Sequence, residues 1–233
     1  MSRLGRDIAG VINGIAASVS YGTNPLFALP LYSMGVKTDS VLFYRYAFAV
    51  IIYGIWLKCF KKISLNISLK ELFPIIVLGI LFSLSSLTLF ESFRYIEVGI
   101  ACTILFIYPI IVAILMAIFF KEKLTKTVLS AIGLTSIGIL LLYNGKPDFS
   151  LNLYGVMIVL VSALMYALYI VGVNNIKSIK RVNRDKMSFY VILSGMFVYV
   201  YNLKFCTELQ ILDRPFAWLL VVCLALFPTI ISI

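Results

Sequence analysis

Eight stretches of this chain, 9–32, 40–57, 73–90, 98–120, 127–143, 154–173, 187–203 and 216–233, stay apolar for 17 to 24 residues each, and Arg45 is the only basic residue inside any of them. A membrane-spanning helix needs about 20 mostly apolar residues, whereas a barrel strand needs about 10 of alternating polarity. A chain of 233 residues that is 62% hydrophobic and 13% charged could not hide so much apolar surface in a water-soluble core. The pattern therefore predicts an all-α fold, a polytopic membrane helix bundle. Its start, Met1 to Asp7, has the positive flank of a signal peptide. The apolar stretch behind it is too long for a signal core and contains Asn13, Asn24, Pro25 and Pro30, so it reads as a retained first span.

The first third of the chain recurs at an offset of 145 residues: Gly10-Val11, Tyr21 and Leu81-Phe82 fall on Gly155-Val156, Tyr166 and Leu226-Phe227, and the span boundaries coincide. The basic loops change sides between the two copies. Lys58, Lys61, Lys62 and Lys70 match a loop holding only Lys204 and Arg214, beside Glu208 and Asp213, while the loop holding only Lys37 matches Lys177, Lys180, Arg181, Arg184 and Lys186. Basic loops stay in the cytoplasm, so the copies are expected to cross the membrane in opposite orientation. The turn-forming segment Asn144 to Ser150 is the natural junction. Residues 1–145 are then a first repeat of five transmembrane helices, and 146–233 a second repeat with three. An odd number of spans in the first copy makes the second start from the opposite face. A complete second repeat needs two more helices, and the chain stops at Ile233 still in apolar sequence, so the sequence reads as a fragment or a truncated frame, the alternative being a genuine eight-helix protein.

With the N-terminus in the cytoplasm, fourteen basic residues lie on cytoplasmic segments and five, Lys37, Arg94, Lys146, Lys204 and Arg214, on outer loops. That distribution accounts for the net charge of +10 as a topology signal, with no nucleic-acid partner. Cys59, Cys102, Cys206 and Cys223 form no CxxC pair and the chain has no histidine, so neither a disulfide framework, a metal site nor a cofactor is expected. Walker A, dinucleotide-binding, G-x-S-x-G and H-E-x-x-H patterns are missing, which argues against an ATP-driven pump or an enzyme.

From Ser92 to Tyr143 the chain carries Arg94-Tyr95-Ile96, Tyr108-Pro109, Glu122 at the end of the fourth span, and Gly133 with Gly138 in the fifth. Together these resemble the EamA-type module of the drug/metabolite transporter superfamily. The resemblance implies ten helices in two inverted five-helix repeats with both termini cytoplasmic, a small-molecule substrate, and a multi-pass protein of the bacterial cytoplasmic (inner) membrane. It also implies export more often than uptake. The second Pro and Glu motif, which the resemblance places in a ninth helix, is missing from this sequence. The lipid bilayer is the expected environment, and a homodimer is left open.

Alternating access needs a polar, water-filled region near the bilayer midplane, bordered by helices that bend. The first span offers Asn13, Ser18, Ser20, Tyr21, Asn24 and Pro25, with Pro25 and Pro30 each expected to free a carbonyl, and its repeat mate offers Tyr166 and Tyr169. Packing through small residues explains these positions as well. Arg45 sits about 7.5 Å into the second span, where snorkelling to the headgroups competes with binding an anionic substrate or locking helices together; its repeat mate is Tyr190. Ser83, Ser85, Ser86 and Thr88 make the third span polar, for a cavity or for helix-to-helix hydrogen bonds. Tyr108-Pro109 predicts a kink in the fourth span, and Glu122 a gating or solvated helix end among Lys121, Lys123 and Lys126. Glu91 and Glu97 are expected to flank Arg94 in an outer charge cluster. No acidic residue lies near a span centre, which leaves facilitated diffusion or exchange rather than carboxylate proton coupling. The expected function is a secondary transporter of a small metabolite or xenobiotic. The alternatives are a non-transporting remnant and, further off, a membrane-embedded enzyme.

Overall fold

The computed structural model describes residues 3–122 and 152–231, with Ser130, Gly133, Leu134 and Ile137 between them; the side chains of residues 3–11 and Asn13 are not described. The predicted span 127–143 thus lies outside the described residues, apart from those four positions. Among the described residues there are helices and loops only: α1 (Arg3–Gly22), α2 (Asn24–Ser33), α3 (Thr38–Cys59), α4 (Leu69–Ser92), α5 (Val98–Leu105), α6 (Tyr108–Phe120), α7 (Leu153–Asn175), α8 (Arg184–Asn202) and α9 (Pro215–Ala225), which runs on into a π-helix (Leu226–Ile231). The fold is all-α. Thr38–Cys59, Leu69–Ser92, Val98–Phe120 and Leu153–Asn175 are long and apolar enough to cross a membrane, and Pro215–Ile231 is a shorter apolar helix.

Caps and prolines set many of these boundaries. Asn152 accepts hydrogen bonds from the Tyr154 and Gly155 amides at the start of α7, and Asn183 does the same for Asp185 and Lys186 at α8. At α4 the Glu71 carboxylate reaches back to the Ser68 amide and hydroxyl. Proline has no N–H to give, so it is tolerated in a first helical turn and disruptive further in. The first predicted span is accordingly broken at Thr23, with Pro25 opening α2, and the fourth at Phe106-Ile107, with Pro109 opening α6. Pro30, expected to free a carbonyl as Pro25 does, sits inside α2 without ending it.

Two compact units divide the chain, Met1–Asn66 with Asn183–Ile233, and Ile67–Val182. Each draws helices from both sides of the 145/146 boundary. In the first unit α3 lies along α8, and α9 with its π-helix packs on α1, α2 and α3. The Tyr46 and Tyr199 rings meet edge to face at 4.9 Å in the α3/α8 seam. Both ends of that pair are stapled. At one end Gln210 contacts the Lys37 amide, the Gly35 carbonyl, the Ser40 hydroxyl and the Tyr44 hydroxyl. At the other, Lys61 Nζ pairs with Asp185 at 2.6 Å, Lys186 donates to the Asn66 carbonyl, and Tyr190 donates to the Leu65 carbonyl.

In the second unit α7 is the central element, touching α4, α5 and α6. Small residues let it approach α4 closely. A methyl group on Gly172 would stand 2.5 Å from Leu78 Cδ2, and Ser85 and Ser162 bond each other reciprocally, each hydroxyl donating to the other residue's carbonyl at 3.0 and 2.7 Å. Large apolar side chains such as Ile51, Phe73, Ile118, Leu153 and Phe216 point outward and stay exposed. In water such surface would drive aggregation; in a bilayer it is the lipid-facing surface.

Candidate functional site

Two clusters, one in each unit, take up most of the residues singled out from the sequence. The first forms where the broken first span meets the π-helix. Pro228 cannot donate to the Leu224 carbonyl as an α-helical residue would, and the helix widens there. The Thr229 hydroxyl donates to that carbonyl at 2.9 Å. Arg45 reaches the same spot from α3: its Nε donates to Thr229 Oγ1 at 2.7 Å, and Nη2 to the Pro228 carbonyl at 3.4 Å. The guanidinium carbon lies 5.9 Å from the centre of the Tyr46 ring.

Arg45 is 1% exposed, so its side chain does not take the snorkelling route to the headgroups. The π-turn supplies its acceptors, the Thr229 hydroxyl and the Pro228 carbonyl. These contacts join α3 to the π-helical turn. Nearby on the same elements, Phe27 of α2 stacks on Phe227 of the π-helix at 5.9 Å. Asn24, at the break, is 3% exposed. Its Nδ2 donates to the Tyr21 carbonyl at 2.9 Å, while its Oδ1 has no hydrogen-bond partner among the described residues.

The second cluster lies in the unit built around α7. Tyr108, Tyr166 and Tyr169 converge there, joined by Phe82. Ser83 and Ser86 are buried on α4, the first beside Phe82 in sequence and the second beside the Ser85–Ser162 contact. Pro109 is exposed at the start of α6. Glu122 is brought to neither cluster; it is exposed just past Lys121, whose left-handed backbone (φ 55°) ends α6. The outer charge cluster is present in part, with Arg94 pairing with Glu91 at 3.0 Å.

Sequence reasoning missed Pro228 and Thr229 as partners of Arg45, although a proline late in an apolar span was a usable signal. It also passed over Phe82, noted only as a repeat identity.

Residues 8–144, more than half of the chain, match the EamA-like transporter family. The chain belongs to that family. An uncharacterized transporter of Archaeoglobus fulgidus is 30% identical over 127 residues, a stretch covering 54% of this chain and 43% of the relative. The matched region thus spans less than half the length of that relative. Family membership together with the apolar helices makes this EamA-like protein a multi-pass membrane protein.

Proposed function

We propose that this EamA-like protein is a cytoplasmic-membrane secondary transporter that exports a small metabolite or xenobiotic by alternating access, with the N-terminus inside and residues 1–145 and 146–233 belonging to oppositely oriented repeats. The carrying observation is the break at Thr23-Asn24, packed on a π-helical turn that a buried arginine holds. Discontinuous helices near the membrane midplane let polar backbone and side-chain groups face a substrate, and they supply hinges for opening.

Helix placement supports the repeat reading. Shifting the starts of α3 and α4 by 145 residues gives 183 and 214, and α8 and α9 start at 184 and 215. The packing partners correspond as well. α1 and α2 pack on α9 and its π-helix, and their repeat mate α7 packs on α4, the repeat mate of α9. A pair of inverted repeats related by a two-fold axis produces such an exchange of partners. The outward direction rests on the family resemblance alone.

The test needs no substrate. In a variant with Cys59, Cys102, Cys206 and Cys223 replaced by Ser, Asn24→Cys places one thiol at the buried break. Alternating access predicts that a membrane-impermeant thiol reagent labels it from the cytoplasmic side and, separately, from the outer side. A thiol reached from one side only, or from neither, contradicts the reading.

A further inference from the structure

Tyr108, Tyr166, Tyr169 and Phe82 come from α6, α7 and α4 and meet within one unit. Ring centres lie 4.8 Å apart for Tyr108 and Tyr166, 5.1 Å for Phe82 and Tyr169, 6.0 Å for Tyr166 and Tyr169, and 6.3 Å for Phe82 and Tyr166. All four side chains remain partly exposed. Tyrosine in membrane proteins concentrates at the water interface, where its hydroxyl is hydrated. Here three tyrosines sit in the middle portions of their spans, at positions 108 of Val98–Phe120 and 166 and 169 of Leu153–Asn175. That placement is costly against lipid and makes sense along a polar pathway.

The repeat comparison separates packing from recognition. Tyr166 and Phe82 have Tyr21 and Phe227 as mates, so this pair belongs to the shared scaffold, but the mate of Tyr169 is Asn24. The contact of Tyr166 with Tyr169 is therefore not repeated between positions 21 and 24. The spans that carry it, 73–90, 98–120 and 154–173, hold no charged residue, so an ionic group would meet no counter-ion on them. Four partly exposed rings gathered in one place instead suit a neutral planar ring.

We infer that Phe82, Tyr108, Tyr166 and Tyr169 form a subsite for a neutral planar aromatic moiety of the transported molecule. This rests on the transporter reading above and names the substrate class for it.

The probe is tritiated 2-naphthol, measured by equilibrium binding to the full chain in nanodiscs, with protein-free nanodiscs subtracted. Decahydro-2-naphthol, which keeps the skeleton and hydroxyl but lacks the π faces, serves as competitor. The expected result is saturable binding that the saturated alcohol does not displace. Tyr166→Phe should bind like wild type, and Tyr166→Ala should weaken binding about tenfold. Tyr169→Leu, which keeps bulk and folding, should weaken it similarly. Binding no greater than in protein-free discs, equal displacement by the saturated alcohol, or unchanged affinity in a folded Tyr169→Leu protein would each overturn the subsite. Two-sided labelling of Asn24→Cys alongside failed naphthol binding would leave the transporter standing and remove only the substrate class. One-sided labelling with intact binding would do the reverse.

Discussion

Arg45 shows how one side chain can tie two elements together, α3 and the π-helical turn. A guanidinium in an apolar span is costly unless its donors are used, and the π-turn at Pro228 offers a hydroxyl and a carbonyl for that purpose. Arg45→Lys keeps the charge but cannot span both acceptors. It is expected to destabilise the protein by about 1.5–3 kcal/mol, the range for a hydrogen bond to a charged group. Thr229→Val should cost a similar amount, about 1.5–3 kcal/mol, because it removes the shorter bond to the guanidinium and the donor to the Leu224 carbonyl. Thermal unfolding in detergent micelles would show the double variant falling short of the sum of the two. Fully additive losses would mean that the contact does not couple α3 to the π-helix. The arginine was legible from the sequence as an exception within an apolar run. Its destination was not, because it depends on a helical register 184 residues away that only tertiary packing brings near.

Proline and small residues set the character of the elements. Pro25 and Pro109 break their spans where they stand in a first helical turn, and Pro228 widens one. The locations of these irregularities were readable from the sequence, but their form was not. A proline removes one donor whatever follows, and whether the chain breaks, bends or widens depends on what satisfies the freed carbonyl; at Leu224 the satisfying group is the Thr229 hydroxyl. Pro30 lies inside α2 and leaves it continuous. The α4/α7 seam makes a second prediction. Reciprocal serine bonds in a membrane interior are worth about 0.6 kcal/mol in coupling, so Ser85→Ala with Ser162→Ala should give a small, non-additive loss of stability. Gly172→Leu should be far more damaging, since even one added carbon meets the buried Leu78 at 2.5 Å. A Gly172→Leu protein as stable as the double alanine variant would show that the two helices are not in close contact.

At the scale of the whole molecule, two features stand out in the sequence: the apolar runs, and the basic loops that the proposed repeats exchange. The runs led to the all-helical fold, though 9–32 and 98–120 each became two helices and the last span became an α-helix with a π-helical end. The compact units could not be read in the same way. Each is assembled from helices on both sides of the 145/146 boundary, and pairing between segments so far apart leaves no mark on local periodicity. At this scale everything in the account depends on the two copies having opposite orientation, since the same charge count in parallel copies would leave one set of basic loops outside. Reporter fusions that are active on only one side of the membrane, joined after Lys62, after Lys180 and after Glu208, test this directly. The account predicts cytoplasmic signals at Lys62 and Lys180 and an external signal at Glu208. An external signal at Lys180 would contradict it.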